Sequence, residues 1–250
     1  MRPSDVARLR RGVLDPTRYR SVLELLRLSR RPLTTLRRYV DADAGEYPWT
    51  TTVRTPTGPL ALRLPHPHDV RTLNEVFFRR DYGDAAPRVV VDVGANIGVA
   101  SAYFLSRRPD AVVHCWEPVL ANLSTLRHNL GPYADRAVVH ESALAPAAGL
   151  AAFRVEAVGR YSGLADYYEH DLETETVEVT CEAVGPELEE VIARHGGIDL
   201  LKIDTEGSET ALLAAVPDDL LPLIGTVAYE RHGSVRRVAG AALLAQRRAG

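Results

Sequence analysis

The chain has 250 residues, 46% hydrophobic, 25% charged and 6% aromatic, which suits a soluble globular protein of one main domain with a small appendage. Its formal net charge of -3, from 30 basic and 33 acidic side chains, excludes a nucleic-acid binder that works through a basic surface, and also a long acidic tail. No run approaches the roughly 18 apolar residues of a membrane span, and the arginine-rich start lacks the apolar stretch of a signal peptide, so a cytoplasmic protein is expected.

The first 40 residues carry eleven arginines against three acids, about +8 in a chain that is nearly neutral overall. Leucines mixed with these arginines (Leu23, Leu25, Leu26, Leu28, Leu33, Leu36) predict short amphipathic helices broken at Pro16 and Pro32. Two readings stay open for segment 1–48. One is a helical cap on the main domain or on a second copy, making a homodimer; the other is a site for an acidic or carrier-tethered substrate. From Trp49 the pattern has period two, turns at Pro56-Thr57-Gly58-Pro59 and resumes at Leu60, a β-hairpin. Residues 69–80 then have helical spacing, and 49–86 form a lead-in to the larger domain.

From residue 87 to 250 apolar strands alternate with helices, which predicts an α/β fold: a Rossmann-like open, mostly parallel sheet with helices on both faces. The parallel strands are expected at 88–93, 111–117, 137–141, 198–204 and 224–230. Runs at 150–155 and 176–181 look like a hairpin inserted in the sheet edge, around a loop whose Tyr161, Tyr167 and Tyr168 would suit either an aromatic lid or plain packing. Cys115 and Cys181 lie in strand-like runs without metal-ligand spacing and are read as buried free thiols. Residues 233–250 read as one alanine-rich helix.

The most informative stretch is Asp92-Val93-Gly94-Ala95-Asn96-Ile97-Gly98, a glycine-rich turn between a buried strand and a helix. Its glycine spacing differs from the G-x-G-x-x-G of dinucleotide enzymes, and Asp92 just before it suits a cofactor with positive charge better than a pyrophosphate. Asn96 fits equally a turn residue or a direct ligand. Glu117 stands 23 residues beyond Gly94 at the end of the next strand, near the offset at which an acid accepts hydrogen bonds from a ribose diol. The plain alternative for it is a solvated strand-end acid.

These residues, with Glu117-Pro118, Glu141-Ser142-Ala143-Leu144 and Leu201-Lys202-Ile203-Asp204-Thr205-Glu206-Gly207-Ser208-Glu209, resemble the FkbM family of S-adenosylmethionine-dependent methyltransferases. The resemblance spans about residues 70–235. It implies S-adenosylmethionine as cofactor, with Asp92, Gly94, Asn96 and Gly98 around its methionine part, Glu117 on the ribose, and Ser142 and Ala143 near the adenine. Members of this class usually close the sheet with an antiparallel hairpin, and the helical reading of 233–250 leaves that hairpin missing. Here the chain also has Cys181-Glu182-Ala183-Val184 where relatives commonly place a Leu-Asp pair.

Methyl transfer to a hydroxyl needs alignment of the acceptor and a group to take its proton. The candidates are Asp204, Glu230, His232 and Lys202, the sole lysine of the chain. His232 suits a base at neutral pH, with Glu230 as its orienting partner or as an alternative base. For Lys202 a structural salt bridge with Asp204 or Glu206 is as good a reading as a catalytic role. Asp204 and Glu230 would end neighbouring strands, where a pair of acids could hold a divalent metal or share a proton; two hard ligands fall short of a full site, so a metal stays open but is not predicted. The remaining histidines are read as surface or packing residues. The expected reaction is O-methylation of a sugar or secondary metabolite. N-methylation, an inactive cofactor-binding partner subunit and a nicotinamide-dependent oxidoreductase are the alternatives; the last fits poorly with Asp92 and the glycine spacing.

Overall fold

The computed structural model describes residues 16–156, 162–167, 174–231 and 234–249, which divide into two compact units, one ending at Gly83 and the other beginning at Asp84.

In the first unit, the helical segment is interrupted before Pro32 as expected, and Pro16 and Pro32 are the first residues of α1 (Pro16–Leu28) and α2 (Pro32–Val40). A proline fits there because its missing N–H would have no partner in the first turn anyway. The strands β1 (Trp49–Thr55) and β2 (Gly58–Leu64) pair antiparallel, and their alternation buries Thr51, Val53, Leu60, Leu62 and Leu64. Helix α3 (Asp69–Leu73) continues as a π-helical stretch, Asn74–Arg79. Glu24 of α1 accepts a hydrogen bond from Arg80 at 2.9 Å.

In the second unit, β3 (Val89–Val93) is buried along its whole length, as a central parallel strand must be, and leads through the glycine turn into α4 (Val99–Leu105). Next come β4 (Val112–Trp116), α5 (Leu120–Leu130) and β5 (Ala137–His140). A second sheet follows, made of β6 (Ala143–Ala145), β7 (Gly149–Glu156), β8 (Ser162–Leu164) and β9 (Thr174–Ala183). The chain returns to the first sheet through α6 (Val184–His195), β10 (Ile198–Ile203), α7 (Glu209–Ala215) and β11 (Ile224–Arg231), and finishes with β12 (Ser234–Ala239) and α8 (Gly240–Ala249).

The main sheet has the order β12-β11-β10-β3-β4-β5, parallel except for β12. Alternate side chains sort its faces. Val89, Val91, Val93, Leu201 and Ile203 form one core with Leu188, Val191 and Leu212 of α6 and α7. Asp92 points the other way, toward Ser101 of α4.

Two expectations are corrected. Residues 233–250 are not one helix: Ser234–Ala239 is an edge strand whose Val235 and Val238 face Glu230 and Val227 in the antiparallel register. The sheet therefore does have an antiparallel edge pair. The runs at 150–155 and 176–181 do pair, but in the separate sheet ordered β6-β9-β7-β8, with a small core of Val119, Ala143, Phe153, Leu164, Val179 and Cys181. Cys115 and Cys181 are buried free thiols, as expected.

Candidate functional site

The sheet runs outward from β3 through β4 to β5 on one side and through β10 to β11 on the other. The crevice between the carboxyl ends of β3 and β10 is thus the topological switch point, where open α/β sheets take their ligands.

The register places Lys202 directly across from Asp92. Lys202 Nζ lies 2.8 Å from Asp92 Oδ1, donates to the Gly94 carbonyl at 3.2 Å and sits 3.5 Å from Asp204 Oδ2. Burial opposes its charge, and the carboxylates of Asp92 and Asp204 outweigh burial, so its pKa is raised. Asp92 is fully buried, and its second oxygen accepts from Ser101 Oγ at 2.6 Å. The lysine's close partner is therefore Asp92, whose two oxygens meet Lys202 and Ser101.

The turn after β3 is built on close approaches. Gly94 (φ 77°) could carry no Cβ, because that atom would overlap the Asp204 carbonyl; Gly98 (φ 81°) has a left-handed backbone that side chains rarely adopt and packs against Leu126 and Leu130. These glycines thus serve packing within the protein. Asn96 has a left-handed backbone (φ 50°), and its Oδ1 accepts from the Ile97 N–H at 2.7 Å. Asn129 of α5 donates to the Ile97 carbonyl at 2.8 Å.

Glu117 follows β4 and is buried. Its Oε2 accepts from the Asn96 N–H at 2.8 Å, and its Oε1 from the Val119 N–H at 2.9 Å and Asn122 Nδ2 at 3.1 Å. Burial raises its pKa, while the hydrogen bonds from Val119, Asn122 and Asn96 pull the other way. The carboxylate is thereby locked against the glycine turn. Ser142 and Ala143, after β5, are both buried, and the Ser142 hydroxyl has no hydrogen-bond partner among the described residues. A buried hydroxyl without a partner is costly unless a ligand or water supplies one.

Beyond β10 the side chain of Asp204 is 27% exposed, and its N–H donates to the Val93 carbonyl at 3.1 Å. Glu206 is left-handed (φ 56°). Glu209, at the start of α7, gathers this turn by accepting from the Thr205 N–H at 2.7 Å and the Gly207 N–H at 3.0 Å. Gly207 lies so close to the Tyr167 carbonyl that a Cβ would overlap it. The tyrosine loop therefore rests on the turn that follows Asp204. Tyr167 is 37% exposed, while Tyr161 and Tyr168 lie outside the described residues. Ile203 is the register partner of Tyr229, so Asp204 and Glu230 extend neighbouring strands side by side. His232 lies outside the described residues.

Sequence reasoning missed Ser101, Asn122 and the clasp made by Glu209. Ser101 stands in a helix buried at every position, Val99–Leu105, and a polar residue there requires a polar partner; that was the available signal.

The pattern of the methyltransferase FkbM domain matches residues 92–233, more than half of the chain. The chain belongs to the FkbM methyltransferase family. Among curated relatives, this FkbM-family chain is 30% identical over 171 residues to the 31-O-demethyl-FK506 methyltransferase FkbM of Streptomyces tacrolimicus; the match takes in 58% of the chain and 65% of that protein. It is 29% identical over 219 residues to the AMB antimetabolite synthetase AmbE of Pseudomonas aeruginosa, across 69% of the chain but only 10% of AmbE. The chain thus spans a tenth to two thirds of the length of these relatives. A solved structure of a putative RNA methyltransferase from Pyrococcus horikoshii aligns with 64% of the chain and 56% of its own length at 15% identity and TM-score 0.31, too slight to add to the fold argument.

Proposed function

We propose that this FkbM-family chain is an S-adenosylmethionine-dependent methyltransferase that methylates a hydroxyl of a small molecule, a sugar or a secondary metabolite. The observation that carries the reading is the buried Glu117 carboxylate, pinned to the glycine turn beside the switch point.

The donor set fits the cofactor. Glu117 has acceptor capacity left for one hydroxyl of a ribose, because a carboxylate offers about four lone-pair sites and three are used. Ser142 would give its hydroxyl to the adenine, with Ala143 beside it. Gly94, Asn96 and Gly98 would line the methionine part through backbone, and Asp92 would act at one remove, by holding Lys202 and α4 in place. When bound, S-adenosylmethionine supplies an electrophilic methyl group on sulfonium.

The chain's own part is to place the acceptor oxygen and remove its proton. Asp204 borders the switch point with its side chain partly open, and Glu230 adjoins it across the register. We assign acceptor positioning to Asp204 and proton removal to Glu230 or His232. Lys202 fixes the Asp204 carboxylate from behind. The tyrosine loop, resting on Gly207, would cover the acceptor with aromatic surface.

The names of both curated relatives, one an antimetabolite synthetase and one an FK506 methyltransferase, support a specialised small-molecule acceptor. The test is a mass-spectrometric screen of hydroxyl and amine compounds with S-adenosylmethionine. A gain of one methyl on oxygen is expected, lost in Asp204→Asn with S-adenosylhomocysteine binding intact. Methylation of amines alone would replace the oxygen acceptor, and NAD binding in place of S-adenosylhomocysteine would overturn the reading.

A further inference from the structure

On the side of the sheet covered by α6, at the carboxyl end of β5, three residues distant in sequence converge. His140 ends β5, Glu182 lies near the end of β9, and Glu187 stands in the first turn of α6. One ligand-type atom from each lies within 4.8 Å of the other two. The pairing of β6 with β9, Leu144 against Glu182, brings this about by laying the end of the second sheet beside the end of the first.

The spacing inside the cluster suits a shared cation better than direct hydrogen bonds. His140 Nδ1 is 3.9 Å from Glu182 Oε2, too long for a hydrogen bond but within the roughly 4.2 Å that two metal bonds of about 2.1 Å span. His140 Nε2 is buried with no hydrogen-bond partner among the described residues. Glu187 has the negative charges of Glu182 and Glu190 nearby, and among the described residues no lysine or arginine pairs with Glu182 or Glu187. An outer shell is already built: Trp116 Nε1 donates to Glu182 Oε2 at 2.7 Å, and the Trp116 ring stacks on His140 at 3.9 Å between centroids. All three residues are partly accessible, so an ion can enter.

We infer that His140, Glu182 and Glu187 bind one divalent cation of the zinc type, with water completing the shell. One imidazole and two carboxylates favour such an ion over magnesium, which prefers oxygen alone. The ion ties β5, β9 and α6 together just before Ser142, and the inference stands independently of methyl transfer. The other comparable cluster, His66, His68 and Asp69, needs no ion. Its Asp69 carboxylate already accepts from the His66 N–H at 2.7 Å and meets His68 Nε2 at 3.1 Å.

Trp116 reports on the site directly. With Trp49 replaced by Phe, Co²⁺ is expected to quench the remaining tryptophan saturably. Calorimetry with Zn²⁺ alone is expected to give one site, weakened at least about tenfold by His140→Ala and by the milder Glu187→Gln, which leaves the core untouched. Magnesium at the same concentration is expected to leave Trp116 unchanged. Zinc affinity and quenching unaltered in both variants, absence of saturable binding, or loss of zinc in His68→Ala instead would each overturn the inference.

Discussion

Lys202 is the only lysine among 30 basic residues, and its position accounts for a lysine there: one ammonium reaches Asp92, Asp204 and the Gly94 carbonyl, and so joins the ends of β3 and β10. Such a buried pair adds little net stability when whole, but losing one member leaves a bare charge. Lys202→Met is therefore expected to cost about 3–5 kcal/mol in denaturant unfolding, and Asp92→Asn in the same chain to restore part of it. Additive losses in the double variant would contradict the pairing. Both residues stand out in the sequence, yet their partnership does not, because it depends on the β3–β10 register, which no local pattern encodes. The offset of Glu117 marks it in the sequence as a candidate. Its clamp by Asn96, Val119 and Asn122 is not legible there, since it depends on how α5 leaves β4.

At the scale of elements, the five parallel strands announce themselves as apolar runs because both faces of each are covered. The edge strand Ser234–Ala239 escaped notice for the opposite reason. Its only large apolar residues, Val235 and Val238, are three apart, which is helical spacing, and exposed Arg236 and Arg237 separate them. The second sheet was visible as two β-type runs, but which sheet they join is a tertiary choice. Its tyrosine loop meets the turn after Asp204 at Gly207. Gly207→Ala is expected to push the two apart and to lower methyl transfer through a raised acceptor KM, while S-adenosylhomocysteine affinity stays within about twofold; unchanged kinetics would show that the contact is idle.

Under α6, His114 faces His195, with 3.0 Å between their Nε2 atoms. Burial, then the neighbouring His195, His140 and Arg194, push its pKa down to about 4. Between that value and about 6.5 the unfolded chain holds a proton that the folded chain does not, so stability rises with pH across this window and is lost as pH falls through it. Unfolding at pH 7 and pH 4.5 is expected to show this loss, and His114→Phe to reduce it. An equal loss in both proteins would assign the acid sensitivity elsewhere.

For the whole molecule, near-neutrality hides a segregation: about +8 in the first 40 residues against about -11 in the rest. The family membership rests on residues 92–233, which hold every proposed cofactor and acceptor residue and leave the arginine-rich segment to a separate role. The family was legible because its chemistry is concentrated in the turns after β3 and β10, where spacing alone constrains the residues. The acceptor was not, because the residues proposed for it lie far apart in sequence; the contact of Tyr167 with the turn after Asp204, for one, arises only in the fold. The central claim is that a buried Glu117 beside the glycine turn holds the ribose of S-adenosylmethionine. Calorimetric titration with S-adenosylhomocysteine tests it most directly. One site is expected, with affinity falling about tenfold or more in Glu117→Gln, measured at a temperature where circular dichroism shows the variant still folded, as loss of hydrogen bonds to a charged acceptor requires; equal affinity in the two proteins would contradict it.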